Sequence, residues 1–558
     1  MATRFTLSQD SKGWAFVSPE GERFFSMGVC CTNRGIPTAD WDATNPGYAA
    51  SRIFKSDQEW ACDTVAKLES WGFNTVGSWS DHKLLRSDLY QTPVLHLGAA
   101  GIPWRDMWDP KVVEDTFKRA EQEIGLWHGD PRIVGYFSDN ELGWWHSAMF
   151  EWAFTGATPA SGTRKRLVDL LRKRYATWEE AMRDFEPKEA TSFEELEKQG
   201  RLFLKPGGKG ILYAKDVLRM QAKRYYELCR EAIERYDPKA LYLGDRYISD
   251  YYPEVAEEAG KVCDVVSTNL NANWPDGDFY RYYLEELHRI SGKPLIVTEF
   301  YQCAMENRSG NMNDRSAFPT VRTQKERVKG LRNQLRLMLS KPFLVGAHWF
   351  QYYDEPMHGR TDGENFNMGL VDTAGRPYDD LVKAFRDHRR PRLKAANAGD
   401  GLPPVDAFTA GDLANWPRER AYVPHEPGDY ARGDLYVGWH PQGLIVGISW
   451  KDGLWPEGFF KSGQVPPEER AKLTMKFQGM KEPVSATMGY GGELEAAGAN
   501  AISHRPNTPC HAVFRIPSNR FGKAQLKAGD RVEFEASMTT QCRSYHMAWK
   551  GSFELKEK

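Results

Sequence analysis

From residue 57 the chain exchanges one hydrophobic period for another. Helical spacing through Trp60, Val65, Leu68 and Trp71 gives way at FNTVGSW to the shorter period of a strand, which predicts a βα unit. The exchange repeats in TPVLHLG at 92–98, a helix over about 110–127, and RIVGYFSDNE at 132–141. Upstream, WAFVSPEGERFFSMGV at 14–29 reads as two short strands around the turn Pro19-Glu20-Gly21. The second of these would open the series. A largely helical excursion spans 146–235, with amphipathic TRKRLVDLLRKRY and AKDVLRMQAKRYYELCREAIERY on either side of a Gly- and Lys-rich loop at 205–210. Strand-like runs resume at 240–247, 262–269, 294–300 and 342–350, most of them separated by helical stretches such as FYRYYLEELHRI. Eight apolar strands counted from FFSMGV, with helices between, predict an α/β fold of the (β/α)8 TIM-barrel type. No dinucleotide fingerprint or phosphate loop follows any strand, which argues against an open doubly wound sheet.

The pattern changes again near His388. HRRPRLKAANAGDGLPPVD has the Pro, Gly and charge content of a linker, and beyond it DLYVGWHPQGLIVGISW, KLTMKF, HAVFRIP and DRVEFEASMTT alternate with period 2. The expected organisation is a barrel over 1–390 carrying the insertion at 146–235, a linker at 391–404, and a C-terminal all-β sandwich over 405–558. No repeat of 20–50 residues is evident.

Composition agrees with this and narrows the ligand. A chain of 558 residues exceeds the roughly 250 at which single cores stop growing, so more than one domain is expected. Hydrophobic residues are 41% and charged residues 27%, and no stretch of about 18 apolar residues occurs, so no membrane span is expected. The 74 Lys and Arg against 76 Asp and Glu leave a formal charge of −2, no field to gather nucleic acid, and so point to a neutral ligand. Aromatic residues reach 13%, with 19 Trp, which suits either stacking on sugar rings or a Trp-rich core. The 8 Cys lack CxxC spacing, so neither a zinc site, a disulfide framework nor a cofactor is indicated. The amino end lacks the apolar segment of a secretory signal, so the chain as given reads as cytoplasmic; a chain trimmed of its signal, periplasmic or secreted, reads the same.

In a barrel, chemistry gathers at the carboxyl ends of the strands. Glu141 and Glu299 end the apolar runs IVGYFSDNE and PLIVTE, where burial would open their pKa values to tuning. Two such carboxylates are what glycosidic cleavage requires: one donates a proton to the leaving oxygen while the other attacks or stabilises the anomeric carbon. The alternative is that either Glu starts the next helix as a capping partner. Further strand-end candidates are Asn33, Trp79, Ser80, Asp81 and His96 after the first three strands, and Asp245, Arg246, Tyr247, Asn269 and Asn271 after the fifth and sixth. His96 and Arg246 suit buried hydrogen-bond or ion-pair partners equally well, and Tyr247 is a candidate donor that orients Glu299. No metal-ligand spacing such as HExxH occurs.

YFSDNELGWW, with Asn140 before Glu141, and VTEF around Glu299 resemble the acid/base and nucleophile signatures of the clan of retaining β-glycosidases built on (β/α)8 barrels. WAFVSPEGERFFSMGV, and above all AHWFQYYDEPMHGRTDGENFNMGLVDTAGRPY at 347–378, resemble the β-agarase family of that clan over about residues 13–388. The resemblance implies that Asn140 binds the substrate 2-hydroxyl, Glu141 cycles between acid and base, and Glu299 forms the glycosyl-enzyme. It also implies that Trp349 lies under the reactive sugar, with simple core packing as the alternative. Gln351 and Asp354 would then face the sugar. Asp362, Glu364 and Asn365 follow in the next loop, which suits a turn held by its own hydrogen bonds as well as a sugar contact. Agarase-family proteins commonly carry a sandwich domain before the barrel, whereas here it follows. That trailing segment, with Trp416, resembles carbohydrate-binding modules of the xylan- and cellulose-binding type, and suits a purely structural sandwich equally.

The function implied is a retaining, exo-acting hydrolase of β-galactosyl bonds in agar-type oligo- or polysaccharides. A β-glucosidase, β-mannosidase or β-glucuronidase of the same clan, and a non-catalytic carbohydrate-binding protein, remain alternatives.

Overall fold

The computed structural model describes residues 4–85, 89–127, 129–156, 162–316, 318–388, 430, 432–452, 456–489, 491–505 and 510–556. The predicted linker at 391–404 and Trp416 lie outside the described residues. The architecture is mixed α/β followed by antiparallel sheets.

Seven strands form one parallel sheet in the order Tyr247–Ile248, Val266–Asn269, Leu295–Phe300, Leu344–Trp349, Ser26–Val29, Thr75–Val76 and Tyr90–Gln91. Gly135–Tyr136 and Leu241–Tyr242 pair separately, also in parallel. Parallel bridges join Gln91 to Ile133 and Val94 to Phe137. On the other side the amides of Asp264 and Val265 donate to the Tyr242 carbonyl at 2.9 and 3.3 Å. Val94, Phe137, Leu243, Val265, Ile296 and Val345, lying in or beside six successive strands, meet in one apolar cluster. Phe5 and Phe16 join it from an amino-terminal hairpin, Thr6–Asp10 paired with Gly13–Val17.

The second run within 14–29 is split. Arg23–Phe24 returns to that hairpin, and only Ser26–Val29 enters the parallel sheet. Gly28 shows why the first parallel strand accepts no larger residue there: a Cβ would stand 2.4 Å from Cδ2 of the His348 ring. Around the strands lie helices with local start signals. Ser56 caps Asp57–Ser70 by accepting from the Glu59 amide, and Thr323 with Glu326 forms a reciprocal box at Gln324–Leu339.

The excursion holds helices His146–Thr155, Gly162–Arg174, Phe193–Lys198 and Gly210–Tyr236. A hairpin, Phe185–Lys188 with Arg201–Leu204, sits among them where only helix was expected.

The C-terminal part forms two antiparallel sheets of four and five strands that share one apolar core, to which Leu435, Val446 and Phe514 contribute from one side and Leu473, Phe534 and Trp549 from the other. Trp439, Trp450 and Trp549 are all buried, so these three indoles belong to the core. The seven described cysteines are free. Among the described residues no helix is long and apolar enough to cross a membrane, and no His, Cys, Asp and Glu cluster suits a metal ion.

Candidate active site

The carboxyl ends of the parallel strands share an unusual backbone. Cys31, Trp79, His96, Glu141 and Arg246, just beyond the first five strands, all adopt positive φ between 51° and 56°. None is glycine, and each such residue carries a conformational cost that its surroundings must offset.

Arg246 stands at the centre of what this backbone presents. Its side chain is fully buried, and Nη2 donates to Glu299 Oε1 at 2.8 Å while Nη1 donates to Asn140 Oδ1 at 2.8 Å. The guanidinium lies 4.2 Å over the Trp79 ring, a cation–π contact that fixes its plane. Its own amide donates to Ser267 Oγ, and the Glu141 amide donates to its carbonyl at 3.1 Å. The turn that carries Glu141 is thus tied directly to the turn that carries Arg246.

Glu141 is partly buried, and its Oε1 accepts from Asn269 Nδ2 at 2.7 Å. Thr298 Oγ1 donates to Asn269 Oδ1 at 2.8 Å, which sets the amide so that its NH2 faces the carboxylate. Burial raises the Glu141 pKa above the ordinary carboxylate range, against Asn269 and Arg246, which lower it. Burial likewise pushes Glu299 up to about 7, opposed by Arg246 and reinforced by the charge of Glu141. The guanidinium on Glu299 and the neutral amide on Glu141 favour the negative charge on Glu299 and the proton on Glu141, against the deeper burial of Glu299, which works the other way.

Other predicted residues fall into two groups. Asn140, Trp79 and Asn269 touch this centre, and His96 and Glu364 are linked to it electrostatically. Burial lowers the His96 pKa, and the positive charges of Arg119 and Arg246 lower it further. Glu364 accepts from Arg360 at 2.7 Å and raises the pKa of both catalytic candidates. Asn33 supports the mouth: its Nδ2 donates to the Trp79 carbonyl at 2.8 Å and its Oδ1 accepts from Tyr353 at 2.7 Å.

Trp349 is not the platform expected. It is 0% exposed, its indole N–H donates to the Met368 carbonyl, and its ring packs edge-on against Phe300 and Phe385, each 5.3 Å away. Strand alternation sends His348 inward to Ser26 and Trp349 outward to the helices.

Asp354 does not face a sugar either, because its carboxylate is saturated by Ser309, Asn367, Tyr378 and the Gly369 amide, at 2.6 to 2.8 Å. Gln351 is buried, with Nε2 donating to Glu355 at 3.1 Å. Asp245 accepts from Trp144 and Tyr226, and Tyr247 engages Tyr226 at 2.9 Å rather than Glu299. The role expected of Tyr247 falls to Arg246. Tyr301 was not anticipated: it follows the seventh strand with a buried hydroxyl that has no hydrogen-bond partner in the structure, and Glu299, Glu364 and Glu141 all act on it electrostatically. Only its position two residues past Glu299 pointed to it.

No family model matches the chain. It is similar to beta-agarase B of Vibrio sp. (strain JT0107), 28% identical over 363 residues, covering 60% of this chain and 36% of that protein. Beta-agarase A of the same strain is 26% identical over 462 residues, covering 69% of this chain and 45% of its own length. The chain therefore spans less than half the length of these curated relatives. Among solved structures, the agarase AgWH50C superposes with a TM-score of 0.58 at 22% identity, over 69% of this chain and 64% of that one, which shows a common fold.

Proposed function

We propose that this protein is a retaining glycoside hydrolase of β-glycosidic bonds, agarase-like in its preference for β-galactosyl sugars and acting from chain ends. The reading takes residues 1–390 as a closed (β/α)8 barrel with the insertion at 146–235, and 405–558 as a β-sandwich resembling a carbohydrate-binding module. Closure is supported by the bridges that join the two-stranded pair to the Tyr90–Gln91 edge of the seven-stranded sheet and by the amide bonds from residues just before Val266–Asn269 on its other side.

The observation that carries the function is the linked pair Glu141 and Glu299, at the carboxyl ends of the fourth and seventh parallel strands, with Arg246 on one and Asn269 on the other. Glu141, protonated through burial, gives its proton to the glycosidic oxygen as the bond to the anomeric carbon breaks. Glu299, ionised against Arg246, attacks that carbon and forms the glycosyl-enzyme. Glu141, now a carboxylate, takes a proton from water, whose oxygen displaces Glu299. Asn140, held by Arg246, is placed to meet the 2-hydroxyl. The similarity to the two beta-agarases supports the choice of a neutral galactose-type sugar.

A 2-deoxy-2-fluoro-β-galactoside with a good leaving group tests this directly. Mass spectrometry is expected to find the sugar bound covalently on Glu299, and on nothing in Glu299→Ala. An unlabelled wild-type protein that still binds the sugar would instead identify a non-catalytic carbohydrate receptor.

A further inference from the structure

Immediately after Glu141 the chain runs Leu142-Gly143-Trp144-Trp145, and immediately after Arg246 it runs Tyr247-Ile248. These two segments, with Asp250, Tyr251 and Tyr252, enclose a cavity of 110 Å³. Its remaining wall comes from far away in the sequence. Lys451, just past the strand Gly443–Trp450 of the C-terminal sheets, reaches in to donate to the Ser249 carbonyl at 2.8 Å and stands 3.7 Å from Asp250.

The wall is held rigidly. Buried Arg432 donates to the Tyr251 carbonyl at 2.6 Å and to the Lys451 carbonyl at 3.2 Å, so one guanidinium fastens both sides. The Trp144 N–H and the Tyr247 hydroxyl are engaged with Asp245 and Tyr226. Ring and aliphatic surface is therefore what they offer to the cavity. Ile248 adds an apolar side chain that is 41% exposed, where a strand residue of this kind would ordinarily be covered. Among the described residues, the acidic and basic side chains lining the cavity are Asp250 and Lys451, one of each sign. Aromatic faces beside a small number of polar groups, with no net charge, suit a neutral pyranose.

We propose that this cavity is the leaving-group subsite, that it takes a neutral sugar, and that the C-terminal sheets complete it through Lys451. The inference builds on the hydrolase reading above. Glu141 protonates the departing oxygen, so the sugar that leaves must lie on the Glu141 side of the broken bond, and the cavity begins at the next residue. Asp250 and Lys451 supply an acceptor and a donor for its hydroxyls, and the C-terminal sheets act here as part of the cleft.

Ile248→Trp fills the cavity from an exposed position, and Lys451→Met removes the contributed ammonium. The readout is kcat/KM for neutral tetrasaccharides prepared from agar and from cellulose, divided by that for the glycosyl fluoride of the same terminal sugar, whose leaving group needs no sugar subsite. In both variants the ratio is expected to fall by about tenfold or more, through KM. A parallel loss on both substrates, as a structural role alone would give, overturns the proposal, and so does no loss. Tighter binding of a sulfated tetrasaccharide overturns the neutral assignment. If wild type hydrolyses none of these substrates, the hydrolase reading fails by itself. Calorimetric titration of the neutral tetrasaccharides into wild type and Ile248→Trp then decides whether the cavity holds sugar: binding weakened about tenfold in the variant sustains it, and equal or absent binding removes it.

Discussion

Arg246 contacts the nucleophile candidate Glu299, Asn140 just before the acid candidate Glu141, and the Trp79 ring at once. Replacing it by Met removes the positive charge that opposes the effect of burial on Glu299, so the acidic limb of the kcat/KM profile should move up by about one pH unit, together with a large fall in kcat. Glu299 itself binds its proton more tightly folded, at about 7, than its ordinary 4.5. The stability that this contributes is full below 4.5 and is lost as pH rises through 7, so wild type should weaken across that window relative to Glu299→Gln. Denaturant titrations at pH 4.5 and 8 should show the gap widening by up to about 3 kcal/mol in favour of the variant. Both carboxylates were legible in the sequence because each ends a long apolar run. The role of Arg246 was not, since the left-handed backbone at that residue breaks period-2 alternation and turns Asp245 and Tyr247 toward Trp144 and Tyr226. Trp349 misled for the opposite reason: alternation holds there, and it points the indole outward.

At the scale of elements, the loop after the eighth strand is organised by Asp354, whose four hydrogen bonds join the 305–320 segment to Asn367, Gly369 and Tyr378. Asp354→Ala leaves those donors unpaired in the interior and should cost about 3 kcal/mol or more in urea unfolding, with Asp354→Asn retaining part of that. The strong helices and most of the parallel strands were readable from hydrophobic period. The hairpin inside the insertion was hidden because FEPK and RLFL are only four residues each, and Pro187 weakens the first as a strand. The amino-terminal strand Thr6–Asp10 is polar and exposed, so it carries no alternation to read.

At the scale of the whole molecule, the C-terminal sheets are fastened to the parallel-strand part by buried polar contacts. Tyr545 donates to Glu254 at 2.9 Å, and Arg432 reaches the Tyr251 carbonyl at 2.6 Å. Such an interface couples the two parts, so scanning calorimetry should show one transition, and Arg432→Ala should lower it as a unit rather than split it. The sequence marked the change to antiparallel pattern, but contacts between residues some 180 to 290 apart leave no local trace. The left-handed residues at the five strand ends bear on what can be improved. Glycine at Trp79 or His96 would relax the backbone, yet each exchange would remove the ring under Arg246 or the imidazole that feels its charge. An engineer who wants a hardier protein should therefore leave these strand ends strained and seek gains on the outer faces of the C-terminal sheets.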